Sequence, residues 1–133
     1  MNRGTYLILI RLSHPVRVSR PRETVLEKGV YAYVGSAMNS LTSRIKRHLT
    51  KGKKVHWHID QLTEEGDVIL FLGIIGGRLE EELSRFLAER FEVVEDFGSS
   101  DLRVKGNLFR IRDFGELWRD LMRFLEKHGD FQV

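Results

Sequence analysis

The sequence predicts an α+β fold with a small, mainly antiparallel central sheet flanked by helices. Short extended segments joined by tight turns fill the first third of the chain, and such connections pair strands antiparallel. Apolar residues spaced four apart, which indicate amphipathic helices, begin only after Asn39. Strands that come first and helices that come later are typical of α+β proteins. With 133 residues and no linker or repeat, the chain fits a single domain spanning 1–133.

Four strands are expected in the first third of the chain. They share short length, apolar or alternating composition and flanking turn residues: Gly4–Leu12, Val16–Ser19, Thr24–Leu26 and Val30–Gly35. Side chains two residues apart in a strand point to the same face of a sheet. Tyr6 therefore shares a face with Ile8 and Ile10, and Tyr31 shares one with Tyr33.

Two helices are expected to follow these strands. The first begins after Asn39 or Ser40, either of which can act as its N-cap. Its apolar residues recur at intervals of four: Leu41, Ile45 and Leu49. A second, shorter helix is predicted over Trp57–Glu64.

The second half of the chain alternates between the two patterns. Asp67–Ile75 is predicted to be a buried strand, because its apolar run is continuous, and Leu79–Phe91 is predicted to be a helix. Val93–Val94 fits a short edge strand. Asn107–Ile111 fits the strand that closes the sheet.

A final helix, residues 113–128, is predicted to pack on the rest of the domain. Asp113 and Glu116 have the spacing of a capping box at its start. Five apolar side chains of this helix are expected to face the core: Phe114, Leu117, Trp118, Leu121 and Leu125.

Composition excludes several classes of protein. The chain has no cysteine, which excludes disulfides and cysteine-ligated metal sites and fits a cytoplasmic protein. No apolar run approaches the roughly 20 residues of a membrane helix, so no membrane partner is expected. The apolar segment near the N-terminus is closed by Arg11 and lacks a cleavage site, so it is interpreted as a strand rather than a signal peptide.

A basic segment stands out although the formal net charge is only +3. No acidic residue interrupts its six cations: Arg44, Lys46, Arg47, Lys51, Lys53 and Lys54. On a helical wheel, Arg44, Arg47 and Lys51 cluster on one face. Such a stripe indicates a polyanionic partner, and a merely solvated helix face is the alternative.

Three kinds of residue are candidates for chemistry. Tyr6 and Tyr33 are the first, although packing in the core is the ordinary role of a tyrosine in a strand. Glu80 is the second, because the helical wheel places it at the border of the core, while Glu81 points to solvent. A carboxylate at that border needs a metal ion or an arginine beside it, unless it turns out to water.

The segment KKVHWHID is the third. Its residues His56 and His58 offer metal-binding nitrogens, but no third ligand is visible near them, so the zinc signal is weak. Packing of Trp57, with one histidine hydrogen-bonded or in contact with phosphate, is the alternative interpretation.

Several motifs together resemble the signature of GIY-YIG nucleases. GTY at Gly4–Tyr6 and YVG at Tyr33–Gly35 resemble its two halves, SRIKRH at Ser43–His48 resembles its Arg-x-x-x-His helix, and LEEEL at Leu79–Leu83 resembles the helix with its metal-binding glutamate. Residues 4–111 are most similar to an uncharacterised archaeal and bacterial branch of that superfamily. This branch is sometimes fused to an endonuclease III-type glycosylase.

The chain also departs from that pattern. A longer insert, Leu7 to Ala32, separates the two signature halves. The asparagine that many of these nucleases carry after the glutamate helix has no obvious counterpart, since Ser99, Ser100 and Asp101 occupy that neighbourhood. Asn107 stands where the branch tends to have histidine.

The resemblance implies metal-dependent hydrolysis of DNA, in repair for example, with RNA less favoured and the oligomeric state open. Glu80 would bind one Mg²⁺ or Mn²⁺, and Tyr6 or Tyr33 would orient or deprotonate the attacking water. Arg44 would neutralise the phosphate and His48 would share proton transfer. Six further residues would contact nucleic acid: Ser36, Arg47, Lys51, Lys53, Lys54 and His56.

A tyrosine can deprotonate water at neutral pH only if its pKa is lowered. A phenol with a pKa of about 10 is a poor base, so cations nearby would have to lower that pKa. Two other functions stay open. One is a nucleic-acid-binding module that lacks catalysis, and the other is a zinc hydrolase built on His56 and His58.

Overall fold

A computed structural model of the chain describes residues 2–19, 23–55, 57–94, 97 and 106–128. The seven strands of this part of the chain are β1 (Gly4–Leu12), β2 (Val16–Val18), β3 (Thr24–Leu26), β4 (Gly29–Ala37), β5 (Asp67–Ile75), β6 (Glu92–Val93) and β7 (Leu108–Ile111). Its four helices are α1 (Leu41–Leu49), α2 (Asp60–Glu65), α3 (Glu80–Ala88) and α4 (Phe114–His128).

Five strands form one sheet in the order β5-β1-β4-β7-β6, and every neighbouring pair is antiparallel. Strands β2 and β3 form a separate two-stranded sheet. The predicted α+β class is therefore confirmed. Strand β1 lies between β4 and β5 and is buried except at Arg11, because its apolar side chains alternate between two covered faces.

The two faces of the sheet have separate cores. We call the face of β1 that carries Tyr6, Ile8 and Ile10 the tyrosine face, and the face that carries Leu7 and Leu9 the leucine face. Residues of α1 and α2 pack with the tyrosine face: Leu41, Ile59 (just before α2) and Leu62. Residues of α3 and α4 pack with the leucine face: Leu83, Leu87, Leu117, Leu121 and Phe124.

Strand β5 corrects a sequence prediction. It is not a buried strand but the edge of the sheet, and Ile69, Leu70 and Ile75 are 43%, 40% and 68% exposed. A continuous apolar run predicts a strand, but it does not say which strand will be outermost. The register of pairing between β5 and β1 also shifts between Leu9 and Ile10.

The orientation of α4 is corrected in part. Leu117 and Leu121 are buried and Leu125 is partly buried, but Phe114 and Trp118 are 54% and 52% exposed. The apolar stripe of this helix is wider than the face that the sheet covers. Its start agrees with the capping prediction, since the Asp113 Oδ1 accepts a hydrogen bond from the Glu116 N–H at 3.2 Å.

Several element boundaries also differ from those predicted, by one to three residues. For example, helix α2 begins at Asp60 rather than Trp57, α3 ends at Ala88 rather than Phe91, and β4 extends to Ala37. In the part of the chain that the structure describes, no helix combines the length and the apolar composition needed to cross a membrane.

Candidate active site

Tyr6, Tyr33 and His48 meet on the tyrosine face, near the end of the sheet where β1 begins. The Tyr6 Oη lies 2.8 Å from the His48 Nε2, within hydrogen-bonding distance. The ring of Tyr33 lies 6.3 Å from that of Tyr6 and 6.2 Å from that of His48, measured between centroids. Three residues predicted from separate motifs are therefore neighbours in the fold.

Gly35 makes room for Tyr6. The two residues are partners across β1 and β4, and a Cβ on Gly35 would lie 2.5 Å from the Tyr6 hydroxyl oxygen. Any other residue at this position would displace the tyrosine ring. On its other side, the ring of Tyr6 stacks on Phe71 of β5 at 5.1 Å.

Arg44 lies one helical turn before His48 on α1, so both side chains approach β1 and β4 together. Its Nη1 donates to the Ser36 carbonyl oxygen at 2.8 Å and to the Tyr6 Oη at 3.5 Å. Ser40 caps the start of this helix, since its side chain accepts from the Ser43 N–H at 3.0 Å. Of the two N-caps that the sequence allowed, the structure uses Ser40.

Glu80 reaches the same end of the sheet from the leucine face, as the first residue of α3. The Ser36 hydroxyl donates to its Oε1 at 2.7 Å. The start of α3 is itself held by β1, because the Leu79 N–H donates to the Oγ1 of the buried Thr5 at 2.6 Å. Ser36 therefore links the two candidates, contacting Glu80 through its side chain and Arg44 through its carbonyl.

Asn107 belongs to this site, although the sequence did not mark it as functional. It precedes β7, and its Nδ2 donates to the Glu80 Oε2 at 3.3 Å. The side chain is buried, and its Oδ1 has no hydrogen-bond partner among the described residues. Ser99, Ser100 and Asp101, the segment considered in its place, lie outside the described residues.

Burial controls the protonation of the central groups. It raises the pKa of Tyr6 to about 12, against the opposing effect of Arg44, and it raises the pKa of Tyr33 as well. Burial also lowers the pKa of His48 to about 4, and the charge of Arg44 adds to that effect. At neutral pH, Tyr6 is therefore a phenol and His48 a neutral imidazole. The condition that nearby cations lower a tyrosine pKa is not met, because desolvation outweighs them.

Three of the cations after Arg44 have partners within the protein: Arg47, Lys51 and Lys53. The Arg47 guanidinium lies 2.5 Å from the carboxylate of the buried Asp60. Lys51 donates to three carbonyl oxygens at the end of α2, those of Thr63 (2.5 Å), Glu64 (3.0 Å) and Gly66. Lys53 pairs with Glu64 at 3.5 Å and its side chain is only 7% exposed. Lys54 and Lys46 are exposed. Contact of these cations with phosphate stays a prediction.

The carboxylate of Glu80 is the oxygen donor that this site offers to a metal, and the Asn107 Nδ2 donates a hydrogen bond to it. Mg²⁺ prefers oxygen ligands and often takes only one or two carboxylates, so a single carboxylate fits that ion. Among the described residues, no group of three or more His, Asp or Glu side chains could hold a metal. His58 contacts the ring of Phe97 edge-on at 6.1 Å, and His56 lies outside the described residues, so the zinc alternative stays a prediction.

Comparison with known proteins gives a family. No curated protein and no solved structure matches the chain. The model of one protein family, described as "Domain of unknown function DUF123", matches residues 5–129, which include every residue of the site described above. The chain belongs to this DUF123 family.

Proposed function

We propose that the protein is a metal-dependent endonuclease of the GIY-YIG type that hydrolyses phosphodiester bonds in DNA. The observation that carries this proposal is the convergence of Tyr6, Arg44, His48 and Glu80 at one end of the sheet. They come from β1, α1 and α3, which are distant in sequence, and they fall within a network of direct contacts. The resemblance names these four residues for one reaction.

Arg44 supplies the charge for the phosphate. Its Nη1 already holds the Ser36 carbonyl and the Tyr6 hydroxyl, while no described residue accepts a hydrogen bond from its Nη2 or Nε. A guanidinium presents its N–H groups in a fixed fork, which suits two oxygens of one phosphate. These donors would stabilise the extra negative charge that develops on the phosphorus oxygens during attack.

Tyr6 and His48 would move the proton of the attacking water. In this scheme the Tyr6 oxygen takes a proton from water while the Tyr6 hydroxyl proton passes to the His48 Nε2, so the phenolate never accumulates. At neutral pH the raised pKa of Tyr6, about 12, and the lowered pKa of His48, about 4, give the phenol and the neutral imidazole from which the relay starts. We assign activation of the attacking water to Tyr6 rather than to Tyr33, because Tyr6 contacts both His48 and Arg44.

Glu80, with Asn107 beside it, would hold the divalent ion. A Mg²⁺ or Mn²⁺ bound there would act as the Lewis acid for the scissile phosphate and the leaving oxygen. Ser36 and Asn107 both donate hydrogen bonds to the Glu80 carboxylate, and so fix its orientation. Such supporting bonds are typical of metal-binding carboxylates.

A nucleic-acid-binding module without catalysis is the second candidate. The low basicity of His48, with a pKa of about 4, favours it, because such an imidazole is a weak final acceptor of a proton. The exposed Lys46 and Lys54 would then serve phosphate contacts alone.

A panel of labelled substrates separates the two candidates. Duplex, single-stranded, flap and junction DNA, with matched RNA, are incubated with Mg²⁺ or Mn²⁺ and with EDTA as control. Metal-dependent cleavage of a DNA substrate is the expected result. Salt-sensitive binding with no cleavage under any divalent metal would instead support the binding module.

A further inference from the structure

We propose that Asp60, Arg47 and Trp57 form a positioning device for Arg44, with the indole of Trp57 as the surface that holds the guanidinium in place. Trp57 contacts the guanidinium of Arg44, and Asp60 holds both Trp57 and Arg47, so their contribution is expected to act through Arg44. The inference rests on the proposed function, in which Arg44 binds the phosphate.

Asp60 is the fixed point of the device. Its side chain is completely buried at the first position of α2. Its Oδ2 accepts hydrogen bonds from the Arg47 Nη2 at 2.5 Å and from the Trp57 backbone N–H at 2.9 Å. A buried carboxylate is costly to desolvate, and losing one partner of such a pair is costlier still. This carboxylate joins α1 to the segment that carries Trp57.

Trp57 lies against both arginines of α1. The Cζ of Arg44 is 4.4 Å from the centroid of the Trp57 ring, and that of Arg47 is 4.5 Å away. Arg44 is nearer to this indole than to the ring of Tyr6, at 5.9 Å. Tryptophan is the most favourable aromatic partner for a cation, and a planar guanidinium stacks on it where an ammonium does not.

The guanidinium of Arg44 is therefore restrained on one face and at its Nη1. The indole contacts its face, and the Ser36 carbonyl and Tyr6 hydroxyl accept from its Nη1. A long, flexible side chain that is already ordered loses less entropy when it binds a phosphate. If Asp60 only stabilised the fold, its replacement would leave the order of the Arg44 side chain unchanged. This difference can be measured.

The first test measures the order of Arg44 directly and needs no enzymatic activity. In protein labelled with ¹⁵N arginine, the Nε–H signal of Arg44 is assigned by its loss in Arg44→Gln. The wild-type order parameter is expected to be that of a rigid group, and in Trp57→Leu it is expected to fall below about 0.6. Trp118→Leu, on the other face of the sheet, is the matched control. An equally rigid Arg44 in Trp57→Leu would overturn the proposal.

The second test uses cleavage of the best DNA substrate. Trp57→Leu is expected to lower kcat roughly 10-fold, by more than its loss of folded protein explains, and Trp57→Phe to restore most of that loss. In an Arg44→Gln background, Trp57→Leu should have no further effect, because its contribution acts through Arg44. Full additivity of the two changes would contradict the proposal.

Two further variants, Asp60→Asn and Arg47→Gln, extend both tests. Each is expected to lower the order parameter of Arg44, as Trp57→Leu does. If Asp60→Asn does not fold, Trp57→Leu and Arg47→Gln still decide the question. If the wild type cleaves no substrate, the proposed function fails, while the order of Arg44 independently decides whether the device exists.

Discussion

The two faces of the central sheet bury different kinds of side chain. Under α1 and α2, the tyrosine face encloses polar groups that are costly to bury, among them Tyr6, His48 and Asp60. Under α3 and α4, the leucine face is filled mainly by aliphatic and phenylalanine side chains. The tyrosine face therefore gives up some stability for its part of the site, which Glu80 joins from the leucine face. The difference explains why substitutions on the two faces should have different consequences.

The largest effect on stability is expected on the leucine face. Phe124 is completely buried there, and Phe124→Ala should lower the free energy of unfolding by about 3–5 kcal/mol, because it leaves a cavity. Urea denaturation measures this change. Nucleic-acid binding per folded molecule should be unaffected, and a loss of less than about 1 kcal/mol would mean that this layer is not the main source of stability.

A pH-dependent effect is expected from the tyrosine face. The pKa of His48 is lowered to about 4 in the folded protein, against an ordinary value of about 6.5, so the unfolded chain binds more protons between these values. Stability should thus be complete above about pH 6.5 and fall by up to about 3 kcal/mol as the pH drops towards 4.

Denaturation curves between pH 7 and pH 4.5 check this prediction. His48→Gln should remove most of the slope in that window. The exposed His14 provides the matched control variant, His14→Gln. An identical slope in His48→Gln would show that folding does not lower the pKa of His48 and would contradict the prediction.

Gly35→Ala tests the close contact beneath the tyrosine ring. The added methyl would lie 2.5 Å from the Tyr6 hydroxyl, so the ring must move, at a cost of about 1–3 kcal/mol. Because Tyr6 contacts His48 and Arg44, cleavage should fall by more than the loss of stability explains. Gly77→Ala, where nothing lies near the added methyl, is the control and should leave both properties unchanged.

The smallest effect is expected at the exposed side of α4. Phe114 is 54% exposed, so Phe114→Ser should change the free energy of unfolding by less than about 1 kcal/mol. Leu117→Ala, three residues further on and buried, should cost about 2–5 kcal/mol. Thermal or urea unfolding of the pair measures the difference. Equal losses of stability in the two variants would indicate that Phe114 faces the core, as the sequence predicted.

The elements of the fold could largely be predicted because their patterns are local. Strand β5 and the start of α1 follow from periodicity and capping within a few residues of sequence. The position of β5 at the sheet edge could not be predicted in this way, because strand order depends on contacts between distant segments. The exposure of Trp118 was missed for the same reason, since a helical wheel shows an apolar stripe but not how much of it is covered.

The residues of the candidate site could also be predicted only where the signal is local. Glu80 could be identified from its helical angle, and its carboxylate does meet polar partners in the fold. Asn107 could not be identified from the sequence, because it comes close to Glu80 only when β7 pairs with β4. Nor could the sequence show that Arg47 is held by Asp60, or that burial would raise the pKa of Tyr6 rather than cations lowering it.

The most direct test of the account compares Glu80→Gln with Glu81→Gln. Supporting groups around a bound metal are worth about 10- to 100-fold in activity or affinity, so loss of the carboxylate ligand itself should lower Mg²⁺-dependent cleavage by more than about 100-fold. Nucleic-acid binding should be kept or improved, because a negative charge is removed. Glu81 pairs with Arg85 at 3.3 Å, and Glu81→Gln should cleave at nearly the wild-type rate. Full cleavage by Glu80→Gln would contradict the proposed site.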